Sequence, residues 1–249
     1  MAGRLRFIVR MQTHERILGV DLVSSRWVRL PLAASALCLG VASHAAIEPA
    51  CKQPPPQLLV ERFMSADCEA CWQAAGARDG RASTMVLDWI APAAPGAPLA
   101  AGSVMEAAAR ATALTATATL QRQASLSRAD APRLRIADGP AWNGYVGVQL
   151  TVDRRAALPA GALAYVALVE RVPAGSEGSG VTRQLVRSVA GPLLLEELAT
   201  ERTVRHFRAM RLPEGARPER LGSVGWVETA QGGVIAATQS AEANCKAVR

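Results

Sequence analysis

The sequence predicts an α+β chain: a short β-α-β segment with a C-x-x-C at the N-terminus of its helix, followed by an antiparallel Ig-like β-sandwich. Three observations predict it. Apolar runs at 57–64 and 83–90 flank a stretch of helix formers that opens at Cys68. From Arg133 onward, short β-prone segments alternate with turn residues. Half of the 249 residues are hydrophobic, a fifth are charged and only 4% are aromatic. That composition excludes disorder, a collagen-like chain and a multi-span membrane protein.

Residues 1–45 read as a signal peptide. Arg26 and Arg29 precede a thirteen-residue apolar run, Leu30–Ala42, which ends at Ser43-His44-Ala45. A helix that long rises about 20 Å, short of the hydrocarbon core of about 30 Å, so a removable leader outweighs a permanent anchor. Cleavage is expected after Ala45, with Met11 an alternative start. Cys38 lacks the small preceding residue that lipoprotein processing requires, so it is expected to leave with the leader. The mature chain is then expected in the periplasm or secreted, with no integral membrane segment.

The leader also explains much of the charge. The chain carries a formal +7, but six arginines and two acidic residues fall before residue 46, leaving 22 basic against 19 acidic residues. A net +3 spread over a solvated surface, with only Lys52 and Lys246 as lysines, does not call for a nucleic-acid partner.

Residues 46–56 form an extended lead-in ending at Pro54-Pro55-Pro56. Gln57 to Met64 reads as a buried strand, Cys68 to Ala75 as a helix stopped by Gly76, and Ser83 to Ile90 as a second buried strand closed by Pro92, Pro95 and Pro98. Strand, helix and strand in that order predict a parallel unit. Ser103-Val104-Met105-Glu106 has the form of a capping box, followed by apolar residues at helical spacing; Thr115 to Leu120 alternates with period two and suits a strand equally. The boundary between the two parts is expected at 128/129. Beyond it, strands are expected at 134–137, 145–152, 162–172, 181–189, 203–212, 221–229 and 234–238. Gly139-Pro140, Asn143-Gly144, Gly191-Pro192 and similar pairs separate them, and Gly175 to Gly180 reads as a mobile hairpin loop.

Four cysteines remain after the leader: Cys51, Cys68, Cys71 and Cys245. In an oxidising compartment an even count favours disulfides, and three pairings exist. Cys51 and Cys245 lie near the two mature ends, and chain termini are often close in space, so these two are expected to form a structural disulfide. That leaves Cys68-Glu69-Ala70-Cys71. Two thiols at a helix start can close a small disulfide, and the unpaired N–H groups there favour a thiolate on Cys68, although Asp67 and Glu69 oppose it. The pair is open to three readings: thiol–disulfide exchange, a structural staple, or part of a metal site. Exchange calls for a partly exposed Cys68, a buried Cys71 and an apolar groove beside them. A staple calls for both sulfurs buried.

Val60-Glu61-Arg62-Phe63-Met64-Ser65-Ala66-Asp67-Cys68-Glu69-Ala70-Cys71 resembles the opening of a secreted, thioredoxin-like bacterial family of unknown function whose pattern runs V-E-L-F-T-S-x-G-C-x-x-C-P. Val60, Glu61, Phe63, Ser65, Cys68 and Cys71 match it, while Asp67 stands at its glycine and Trp72 at its proline. Met85 to Trp89 is similar to the family's next strand. Ala164 to Glu170 and Val224 to Glu228 resemble the β-sandwich that follows a thioredoxin-like half in related extracytoplasmic proteins. The resemblance implies a reduced thioredoxin-like segment over 57–128 and a sandwich over 129–249. It implies exchange in which Cys68 attacks and Cys71 resolves the mixed disulfide, with a disulfide-bearing or dithiol protein as partner. It also implies a cis-proline beside the C-x-x-C, for which Pro132 is the candidate; that residue equally suits a plain turn.

Other chemistries fit the residues less well. His206 is the only histidine past the leader, which excludes His-dependent triads and multi-histidine zinc sites; it is expected on the solvent face of a strand. Met64, Met85, Met105 and Met210 are scattered and read as packing residues, so no cofactor or metal is assigned. Glu196, Glu197 and Glu201 read as a charged outer face, not a paired-carboxylate site. Trp72, Trp89, Trp142, Trp226 and Tyr145 read as core anchors before a sugar-stacking surface. The rival to exchange is a non-enzymatic periplasmic binding or adaptor module in which the C-x-x-C is a staple.

Overall fold

The computed structural model describes residues 55–74, 83–111, 119–126, 129–154, 157–195 and 200–240. The leader, Cys51, Cys245, Glu196 and Glu197 lie outside them.

Among the described residues, ten strands and two short α-helices follow one another: β1 (Leu58–Ser65), α1 (Glu69–Gln73), β2 (Thr84–Ala91), α2 (Met105–Arg110), β3 (Leu120–Ser125), β4 (Arg133–Asp138), β5 (Tyr145–Asp153), β6 (Leu163–Val172), β7 (Arg183–Leu194), β8 (Thr203–Arg211), β9 (Leu221–Glu228) and β10 (Val234–Gln239). β1 and β2 run parallel, in register from Leu58/Thr84 to Ser65/Ala91, with α1 between them, as the alternation of apolar runs and helix formers predicts. The strands form two sheets. One is mixed, seven-stranded and ordered β10-β9-β6-β7-β2-β1-β3; the other is antiparallel and ordered β4-β5-β8. Strands from both sides of residue 128 thus share the large sheet, joined where β2 and β7 meet at Asp88 and Leu185.

Both faces of the large sheet are covered. On one, Leu59, Phe63, Leu87, Trp89 and Trp226 pack with Val104 and Ala107 at α2. On the other, Met64, Ile90, Val172 and Leu185 pack with Trp72 of α1. Farther along, Val166, Leu168, Val227 and Ile235 meet Val146, Val148, Leu150 and Val152 of the small sheet. Strands covered on two sides need apolar residues at successive positions, which is why 58–65 and 221–228 read as continuous runs.

Several local expectations are corrected. Ser103 does not cap α2: its hydroxyl donates to the Ala100 carbonyl, and Val104 occupies the N-cap position without a side-chain bond. The preceding 3₁₀ turn, Ala100–Gly102, takes the serine for its own end, so the S-x-x-E spacing is satisfied without forming the box. Gly191-Pro192 does not end a strand, because β7 runs on to Leu194 and pairs with Leu163. The cis peptide among the described residues precedes Pro192, so Pro132 is not the expected cis-proline. His206 pairs with Leu150 on the inward face of the small sheet and is half-buried, since its parity along β8 matches that of Val204 and Met210. No described helix is long and apolar enough to cross a membrane.

Candidate functional site

β1 delivers the chain to Cys68. The Cys68 N–H donates to Ser65 O at 3.0 Å, closing a turn that places Cys68 at the N-cap of α1. Its sulfur takes the part that a serine or aspartate oxygen usually plays, accepting the Cys71 N–H at 3.3 Å. Cys68 and Cys71 are joined as a disulfide with their Cα atoms 5.2 Å apart. Within the pair, Cys68 is buried at 6% exposure and Cys71 is half-buried, packed against the cluster of Met64, Ile90 and Leu185. This reverses the exposure expected of an attacking Cys68. A turn tight enough to make the first sulfur a helix cap also draws it under the chain.

The helix is held from below by residues the sequence did not single out. Arg183, from the start of β7, sends Nη2 to the carbonyls of Cys71, Trp72 and Ala74 at 3.1, 2.7 and 3.1 Å. These are carbonyls that a five-residue helix leaves unpaired at its end. The same guanidinium lies 4.9 Å from the centre of the Trp72 ring and donates Nε–H to Ser179 Oγ. Asp88 of β2, with no exposed surface, binds it: Arg183 Nη1 is 3.0 Å from Oδ1, and Arg62 Nη2 lies 2.8 and 2.9 Å from the two carboxylate oxygens. The Gln184 N–H fills a fourth position at 3.1 Å. Burial pushes the Arg183 guanidinium below the usual arginine range, Asp88 opposes this, and Arg62 adds to it. Two arginines share one carboxylate beneath the C-x-x-C helix, a formal charge of +1 for the three side chains.

The loop expected to be mobile is tied to this site. Trp72 Nε1–H donates to Glu177 O at 2.7 Å, and the Glu177 carboxylate accepts from Arg220 at 2.7 Å. Gly180 passes so close that a Cβ there would sit 2.6 Å from the Gln73 carbonyl oxygen. Gly180→Val is therefore expected to push the loop off α1 and destabilise the protein by about 1 to 3 kcal/mol, read from urea unfolding. Gly175→Ala, whose Cβ would meet nothing within 4 Å but whose φ is +77°, should lose less.

The other candidates do not join the pair. Met64 and Met85 are fully buried and Met210 nearly so, whereas Met105 is 72% exposed. Among the described residues, no three His, Cys, Asp or Glu side chains lie close enough to hold a metal. Trp72, Trp89 and Trp226 are core residues; Trp142 and Tyr145 are exposed, contrary to expectation. A pocket of about 340 Å³ is lined by Leu158, Pro159, Leu163 and Leu194 and includes neither cysteine.

A second buried polar cluster occupies the opposite face of the large sheet. Arg110 of α2 donates to both oxygens of Glu61 at 3.1 and 3.3 Å and to Glu228 at 2.8 Å. Its guanidinium lies 5.4 and 5.1 Å from the ring centres of Trp89 and Trp226. Burial alone would lower its affinity for protons, but Glu61 and Glu228 outweigh that and hold it above the ordinary arginine value. Glu228 also accepts the Trp226 indole N–H. With both carboxylates engaged by one arginine, the cluster is built as a clamp holding α2 to the sheet.

No protein-family model matches the chain, and no curated protein sequence does. Among solved structures, HBP35 of Porphyromonas gingivalis is similar over 76% of this chain and 76% of its own, at 12% identity and a TM-score of 0.43.

Proposed function

We propose that the chain is an exported thiol–disulfide exchange protein working through Cys68 and Cys71, in a thioredoxin-like β-α-β frame attached to an Ig-like sandwich. The observation that carries this reading is the disulfide across the first turn of α1, with one sulfur already accepting a backbone N–H. The exposures favour Cys71 as the sulfur that is attacked. A partner thiolate forms a bond to Cys71 Sγ, the Cys68–Cys71 bond breaks, and Cys68 leaves as a thiolate in the position where the Cys71 N–H stabilises it. A second thiol of the partner then attacks its own mixed-disulfide sulfur, releasing Cys71 as a thiolate and leaving the partner oxidised. In the opposite direction, reduced Cys71 opens a partner disulfide and Cys68 resolves the mixed species. This exchanges the roles that the family resemblance implies. Arg183, Asp88 and Trp72 position the helix and touch neither sulfur.

The burial of Cys68 favours a second reading, a staple in a non-enzymatic binding module. Trapping separates the two. Incubated with a disulfide-bonded peptide, the Cys68→Ser variant should accumulate a mixed disulfide on Cys71, the peptide's second sulfur leaving as a thiolate and the product identified by mass, while Cys71→Ser accumulates little on Cys68. Failure of both variants to trap partner would support the staple.

A further inference from the structure

The outer face of the small sheet carries an arrangement that the exchange reading does not use. Strand alternation places Arg133, Arg135 and Ala137 of β4, Tyr145, Gln149 and Asp153 of β5, and Arg205, Phe207 and Arg211 of β8 on the side away from the core. Asp153 is the only carboxylate on this face among the described residues. It is already engaged, by Arg135 at 2.9 Å and by the Thr203 hydroxyl.

The aromatics cluster toward one end. Trp142 and Tyr145 are bridge partners across the Asn143-Gly144 turn, whose φ values of 48° and 79° make a tight hairpin, so their side chains project to the same side. The Phe207 ring leans over Gly147, where a Cβ would lie 3.0 Å from it. Trp142, Phe207 and Tyr145 are 76%, 62% and 49% exposed. Arg133, Arg135 and Arg205 lie toward the other end, in the registers of Asp153 and Thr151, and Arg211 sits opposite Tyr145.

From this we infer that the β4-β5-β8 face is a docking surface for an anionic lipid bilayer, with Trp142, Tyr145 and Phe207 entering the interface and Arg133, Arg135, Arg205 and Arg211 engaging lipid phosphates. Charge complementarity carries the choice of partner: four arginines against one carboxylate already bonded. The layout favours a bilayer over a charged polymer. An aromatic end, with Arg211 beside Tyr145, and a cationic end with Arg133, Arg135 and Arg205 suit an interface that takes aromatic rings and arginines side by side, whereas a single strand or acidic glycan is better met by alternating stacking and phosphate contacts. Few uncommitted hydrogen-bonding side chains stand between the aromatics to read sugar hydroxyls, Gln149 being the clearest.

The test is co-sedimentation of the full chain with vesicles of phosphatidylglycerol mixed with phosphatidylcholine, against phosphatidylcholine alone. Residues 1–54 are common to all variants, so any contribution of the apolar run at 30–42 cancels. Arg133→Gln with Arg205→Gln should weaken partitioning to the anionic vesicles about fivefold per arginine, roughly thirtyfold together. Raising salt from about 0.1 M to about 1 M should have a similar effect on the wild-type chain. Trp142→Phe should remove a blue shift of tryptophan emission that anionic vesicles induce. Equal partitioning of the wild-type chain and the double variant, with no emission change at Trp142, would overturn the assignment. So would retention by a single-stranded oligonucleotide or an acidic polysaccharide without vesicle binding, which would give the face to a polymer.

Discussion

Asp88→Ala is expected to destabilise the protein by about 3 to 5 kcal/mol, enough to unfold many domains of this size at ordinary temperature. The loss exceeds what the missing contacts alone would give. Asp88 has no exposed surface, and it neutralises part of the charge of Arg62 and Arg183, which are themselves buried. Removing it strands two guanidinium groups at low dielectric and orphans the Gln184 N–H. The midpoint of urea unfolding should fall by the corresponding amount with little change in slope. Asp88→Asn should recover only a small part, because the amide retains acceptor capacity but no charge. Since Arg183 closes the end of α1, the Asp88 variants should also expose the Cys68–Cys71 disulfide to dithiothreitol at concentrations that leave the wild-type pair intact.

Arg110→Met should be comparably severe, again by about 3 to 5 kcal/mol, for the mirror-image reason. Glu61 would keep only the longer pairing to Arg122 at 4.0 Å, Glu228 would lose its ion pair to Arg110, and the Trp89 and Trp226 rings would lose the guanidinium stacked on them. Arg110→Lys should fail to rescue, because an ammonium cannot reproduce the paired bonds to Glu61 while also reaching Glu228. Replacing Glu61, Arg110 and Glu228 together by apolar residues should be far milder than removing the arginine alone.

The strands were legible because their signals are local. Alternation in 145–152 and 203–212 and the turn pairs between segments predict β5, β8 and the hairpins to within a few residues, and the continuous apolar runs at 57–64 and 83–90 predict two buried parallel strands. The C-x-x-C was legible as a pair at a helix start. The frame around it was not. Glu61 and Arg62 interrupt an otherwise apolar strand, and Asp88 does the same in the next. Charges in strands buried on both faces call for buried partners, but those partners, Arg110 and Arg183, lie 49 and 95 residues away in the sequence. Nothing local names them. The same distance hides the role of Trp72. It stands at the resembled family's proline position, yet it is the residue through which Glu177 and Arg183 grip α1. Reading Gly175 to Gly180 as a mobile loop followed from composition, which does not see that gripping contact.

The most direct test of exchange through Cys68 and Cys71 is the reduction potential of that pair. It is measured by dithiothreitol or glutathione titration in a chain with Cys38, Cys51 and Cys245 replaced by serine, with alkylation mapped by mass. The expected value is near or above about −270 mV, with Cys71 alkylating first on reduction because it is the more exposed of the two. A value below about −300 mV, with neither thiol alkylated in the native protein, would contradict the account and make the disulfide a staple.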